Sequence, residues 1–258
     1  MSQRDGYEHG VPCGIAGAYP SPDDAARFYG ELFGWEAEEI GDGHLICRLR
    51  GRDAAVIGTA PDPAAPEAAL WITHIQVDDA GDAAHRVRAA GGTVLAEPFD
   101  APGGTRVAVA ADPQGAVFAL LEPGELCGAQ VVNEPGAWAM SLLATSDTEA
   151  AKRFYGEVFG WETDGFDGVS LWRLPGFVGG EPMQPVPRDV VGVLMPAEGR
   201  APGWDVNFWV DDADETAARA AELGGRVVVP PFDGPVTRDA VLADPHGGVF
   251  SVTTAPGP

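Results

Sequence analysis

Apolar positions along the chain change their period in a fixed order, and that order repeats. Ala25, Phe28 and Leu32 recur at helical spacing behind Ser21-Pro-Asp-Asp24, which supplies an N-cap residue, a proline at the first helical position and acids in the first turn. Gly34 can close that helix in the left-handed conformation. Strand-like stretches follow at 45–49 and 54–57. The pattern then begins again. A strand is expected at 70–77, a helix at about 80–90 stopped by Gly91-Gly92, and strands near 93–96, 106–110 and 117–121, the last two joined by the turn Asp112-Pro-Gln-Gly115. Each unit therefore reads strand, helix, then two or three strands.

The second half of the chain repeats the first. RFYGELFGWE at 27–36 returns as RFYGEVFGWE at 153–162, with Leu32 against Val158 as the only difference. Val77-Asp-Asp79 returns as Val210-Asp-Asp212, Gly91-Gly92 as Gly224-Gly225, Pro98-Phe-Asp100 as Pro231-Phe-Asp233, and Ala111-Asp-Pro113 as Ala243-Asp-Pro245. A repeat this long is a domain duplication. The division is a first domain at 8–123 (units 11–60 and 68–123), a linker at 124–135, and a second domain at 136–254 (units 136–196 and 203–254). Pro-rich pieces at 60–66 and 182–188 join the units. The fold class is α+β: tandem domains, each of two βαβββ units forming a curved mixed sheet around a groove. In this reading a helix covers one face of each short sheet, and two such sheets face each other across the groove, a ready place for a small ligand.

Composition narrows the partners. With 39 acidic and 16 basic side chains the net charge is −23, which disfavours nucleic acid, since that affinity comes from cations that neutralise phosphates. No apolar run approaches the roughly 18 residues of a membrane span, and the polar start MSQRDGYEHG lacks the apolar segment of a signal peptide. A cytoplasmic location is the expectation. Cys13, Cys47 and Cys127 form no CxxC and read as small buried hydrophobes. No GxSxG, P-loop, GxGxxG or HExxH is present.

Phe28-Tyr29 with Leu32-Phe33-Gly34-Trp35, the copy at 154–161, both VDD turns, Gly91-Gly92, Asp112-Pro-Gln-Gly115 and Asp244-Pro-His-Gly247 occur in order and twice over. In this the chain resembles the vicinal oxygen chelate superfamily of glyoxalase I, bleomycin-resistance proteins and extradiol dioxygenases. It is especially similar to two-domain actinobacterial members labelled glyoxalase-like or hydroxylase. The resemblance implies a divalent metal held by His, Gln or Glu on the first strand of a unit and Glu on its last, where it would polarise a substrate oxygen. Carried over, those positions fall on Ala16, Ile72, Leu142 and Asp205, and on Ala119 and Ser251. Only Asp205 is a plausible ligand, so no metal or other cofactor is expected.

His74 shares a strand face with Ile72, because side chains alternate, and is the candidate ligand contact or general base. Asp205, Asn207 and Trp209 share a face in the second copy, with Ser251 beside them, and would suit a polar, planar ligand. Arg48 and Arg173 are matched between copies and are candidates for clamping an oxyanion, with structural salt bridging as the competing reading. Trp172 is either a stacking wall or core packing. The functional expectation is binding or transformation of a small carbonyl-bearing or aromatic metabolite without the usual metal. The alternatives are a metal-dependent glyoxalase-like lyase or dioxygenase/hydroxylase, sequestration of the bleomycin-resistance type, and a purely structural role. A small molecule is the expected partner, with no nucleic acid and no membrane, and homodimerisation stays open.

Overall fold

All four units fold as one strand, one helix and three further strands. The computed structural model describes residues 2–60, 69–166, 169–179, 189–197, 199, 201–234 and 237–254. After a short strand β1 (Ser2–Gln3), the first unit runs β2 (Pro12–Tyr19), α1 (Pro22–Phe33), β3 (Glu36–Gly41), β4 (His44–Leu49) and β5 (Arg52–Thr59). The second has β6 (Leu70–Gln76), α2 (Ala80–Ala89), β7 (Thr93–Ala101), β8 (Thr105–Ala111) and β9 (Val117–Glu122). A short strand β10 (Val131–Val132) precedes the third unit, β11 (Trp138–Thr145), α3 (Thr148–Phe159), β12 (Glu162–Phe166), β13 (Val169–Arg173) and β14 (Val190–Pro196). The fourth comprises β15 (Gly203–Trp209), α4 (Ala213–Glu222), β16 (Arg226–Asp233), β17 (Arg238–Ala243) and β18 (Val249–Thr254). The joining pieces at 61–66 and 182–188 lie outside the described residues.

Strand β3 escapes the hydrophobic pattern because its sequence, EAEEIG, is acidic and almost wholly exposed. It is an edge strand hydrogen-bonded to β4 alone, where charge guards against pairing with another chain.

The two units of a domain do not face each other as separate sheets. They join edge to edge, β2 antiparallel to β6, in one eight-stranded sheet ordered β3-β4-β5-β2-β6-β9-β8-β7. The second domain repeats this as β12-β13-β14-β11-β15-β18-β17-β16. Each sheet curls into a half-barrel, and the groove is the inside of one curl. The four helices form a shared layer between the domains. Phe33 on α1 packs against Phe208 of the opposite sheet, ring centres 4.8 Å apart, and Phe154 on α3 meets Phe118 of the first sheet at 6.1 Å. Both buried clusters contain residues of both domains.

The repeated decapeptide builds this seam. The Tyr29 hydroxyl donates to Asp244 Oδ2 across the domains (2.8 Å), beside a bond from Tyr19 (2.7 Å), and accepts from Trp71 Nε1 (2.8 Å). Its copy Tyr155 donates to Asp112 Oδ2 at 3.3 Å and accepts from Trp204 Nε1 at 2.9 Å. Trp35 and Trp161 bond the carbonyls of Gly136 and Gly10, again across the domains. Gly30 suits a close approach, since a Cβ there would lie 3.0 Å from the Trp35 carbonyl oxygen, a tight contact. Burial raises the Asp112 carboxyl above its ordinary value, and hydrogen bonds from its own turn and from Tyr155 oppose this.

The linker is more than a spacer. β10 pairs with β1, Ala129 N donates to Cys13 O (2.8 Å) and Gln130 N to Asp53 O (2.6 Å), which fasten the segment to the first domain. Gly128, with φ of 99°, crosses Cys13 so closely that no Cβ could fit.

Candidate functional site

The inside of the first half-barrel holds a cavity of about 270 Å³. Its floor comprises Gly14 and Ala16 of β2, Val56 of β5, and Ile72 and His74 of β6. Leu126, Gly128 and Ala129 of the linker wall one side, and Phe99 stands at the rim. Alternation explains the surface: on β6 Ile72 and His74 face the cavity, while Trp71 and Ile75 point to the helix layer and are buried there.

The depth of this cavity reflects a difference between the copies. Residues in the same place relative to the helix N-caps are Gly14 and Met140, Ala16 and Leu142, Ile72 and Asp205, and His74 and Asn207. Small side chains hollow out the first floor, where the second carries Met140 and Leu142.

His74 is half-buried in the floor, and its imidazole makes no hydrogen bond to another described residue. Burial pushes its pKa down to about 4, so at neutral pH the ring is uncharged, with one nitrogen donating and the other accepting. His44 also lines the cavity. Its ring lies over Gly58, where a Cβ would come within 2.5 Å of it, and its Nδ1 stands 3.1 Å from the carbonyl of Asp42. His44 is not among the residues singled out above from the sequence. The one available signal is the glycine at 58.

The remaining candidates divide. Arg48 is held by Asp53 (2.8 Å) and Glu38, and Arg173 by Asp164 (3.0 Å) and Asp189, so both are salt-bridged. Neither lines the cavity. Trp172 is wholly buried on the helix side, 5.5 Å from the rings of Tyr155 and Trp161, and is core packing. Asp205, Asn207 and Trp209 do share one face of β15, and Asn207 Nδ2 donates to Ser251 Oγ at 2.9 Å.

The metal-ligand register needs one correction. Ala16 sits opposite Ile72, and Leu142 opposite Asp205, across the central strand pairs, so Ala16 and Leu142 are their neighbours and not their counterparts. The counterparts, in the same place relative to the N-caps, are Gly14 and Met140. On the last strands, Val56 pairs with Ala16 as Ala119 pairs with His74, and Val193 pairs with Leu142 as Ser251 pairs with Asn207. The full sets are thus Gly14, Val56, Ile72 and Ala119 in the first domain, and Met140, Val193, Asp205 and Ser251 in the second. The first set contains no donor side chain and the second one carboxylate, so these residues do not fit the metal that the resemblance implies. Among the described residues no group of three or more His, Cys, Asp or Glu could hold an ion.

Comparison with known proteins agrees with this architecture. A protein of Mycobacterium tuberculosis with the provisional designation glyoxylase CFP32 is 34% identical over 98% of this chain and 97% of its own. The anthracycline biosynthesis protein DnrV of Streptomyces peucetius is 36% identical over 90% of this chain and 89% of its own. Among solved structures, the Mn(II)-bound glyoxalase of Novosphingobium aromaticivorans superposes with a TM-score of 0.66 at 15% identity, covering 98% of this chain and 83% of that one, which speaks to fold alone. The profile of the Glyoxalase/Bleomycin resistance protein/Dioxygenase superfamily matches residues 15–120, and that of the Glyoxalase-like domain residues 140–253. With both halves matched and the strand order of each unit in place, the chain belongs to the glyoxalase, bleomycin-resistance and dioxygenase superfamily, also called the vicinal oxygen chelate superfamily.

Proposed function

We propose that this protein binds a small, largely apolar metabolite in the groove of its first domain without a metal, with His74 as the polar anchor. The observation that carries this reading is the coincidence of cavity and register. Where the superfamily would hold an ion, this chain has Gly14, Val56, Ile72 and Ala119, and the first three of these line the floor of the cavity. An apolar pocket with few polar groups gains affinity from buried ligand area and orientation from the polar contact. The Streptomyces relative bears the name of anthracycline biosynthesis, and a planar fused-ring skeleton is the kind of molecule that such a floor would accept. The second domain serves mainly to complete the helix layer. Its polar face of Asp205, Asn207 and Trp209 differs too much from the first to bind the same ligand.

A neutral imidazole can take a proton from, or give one to, a bound hydroxyl or carbonyl group, so the reading covers both sequestration and proton transfer. The competing reading, a metal-dependent lyase or dioxygenase, has Asp205 as its only carboxylate at a ligand position. The test is calorimetric titration of 1-naphthol, a neutral bicyclic probe, into protein dialysed against chelator. One molecule should bind per chain, and His74→Leu should weaken binding without loss of fold. Binding that depends on restored metal would overturn the proposal.

A further inference from the structure

The wall of the cavity also bears on the charge of what enters. No Lys or Arg is among the described residues that line it, and the sequence of residues 61–68 contains none. Among the described lining residues the one carboxylate is Asp53, which Arg48 bonds, and the rest of that guanidinium is taken by Glu38. Thr105 Oγ1 is turned to the carbonyl of Leu126 at 3.1 Å. What remains for a ligand is chiefly His74 and His44 in an apolar surround.

Resting on the reading of this cavity as the binding site, we infer that it selects uncharged ligands, which exchange a hydrogen bond with His74, and turns away anions such as carboxylates and phosphates. An anion that enters leaves its hydration behind and meets no cation in return. His74 offers no compensating charge, since burial keeps the ring neutral. The net charge of −23 opposes anions at longer range as well.

The experiment compares three probes of similar shape at pH 7.5: 1-naphthol, 1-naphthoate and methyl 1-naphthoate. The alcohol and the ester should bind, and the carboxylate should bind at least about tenfold more weakly, the equivalent of about 1.4 kcal/mol. Carboxylate affinity equal to that of the ester would overturn the charge selection and leave the site standing. Failure of all three to bind would overturn the site, and the selection with it. Ala16→Leu serves as the control for location, because it places a side chain in the floor: binding of the neutral probes should be lost. Retained binding would move the probe elsewhere and sink both statements.

Discussion

Replacing His74 by Asn should flatten one component of the pH dependence of stability. Asn stands at the matching position in the second domain, Asn207, so the change keeps a side chain that this fold accommodates. Burial lowers the His74 pKa from 6.5 to about 4. Above pH 6.5 the ring is neutral in both folded and unfolded chains and contributes no slope. Between pH 6.5 and 4 the unfolded chain binds a proton that the folded chain refuses, so stability falls as the pH falls. At about 1.4 kcal/mol for each pH step of one, the full loss reaches about 3 kcal/mol by pH 4. Urea unfolding of both proteins at several values between pH 7.5 and 4.5 isolates the effect, because other titrations cancel in the difference. The variant should gain on the parent steadily as the pH is lowered. A difference that stays constant over this range would refute the claim that His74 is held neutral in an apolar floor.

Three further outcomes follow from the same geometry. Ala16→Leu adds three carbons to the cavity and should leave stability unchanged or raise it by up to about 2 kcal/mol, by burial at about 0.8 kcal/mol per carbon, while removing probe binding; thermal melts and titration read both. Tyr29→Phe leaves Trp71 Nε1 without its acceptor and Asp244 Oδ2 with Tyr19 as its remaining tyrosine donor, and should cost about 1–3 kcal/mol in urea unfolding. Arg173→Met should change probe affinity less than twofold, since its charge is spent on Asp164 and Asp189; a tenfold loss, about 1.4 kcal/mol, would return it to the site.

Much of the fold can be read from the chain because its signals are local. Gly34 does end α1 with φ of 77°, and the duplication is spelled in RFYGE-FGWE, while the side-chain caps of Asp79, Asp147 and Asp212 are seen in the structure alone. Ser21 occupies the N-cap position, yet its hydroxyl bonds Asp24 Oδ2 instead of a helix amide, a choice that sequence does not reveal. The role of the decapeptide is out of reach for a different reason. Tyr29 and Asp244 are far apart in the chain, and nothing local shows that each helix closes the seam to the other domain. The cavity lies between these cases. Strand parity finds His74, but its surroundings depend on Gly14 and Ala16 being smaller than Met140 and Leu142, a contrast that appears only once the copies are in register. His44 escapes because a histidine at a strand end reads as solvated unless the fold lays it over Gly58.

The central claim is that ligand binding belongs to the first groove and needs no metal. Titration of 1-naphthol into chelator-treated protein, with metal content measured on the same sample, tests it most directly. One probe should bind per chain, at unchanged affinity in metal-free protein. Binding that appears only with stoichiometric divalent metal, or two equal sites per chain, would contradict it.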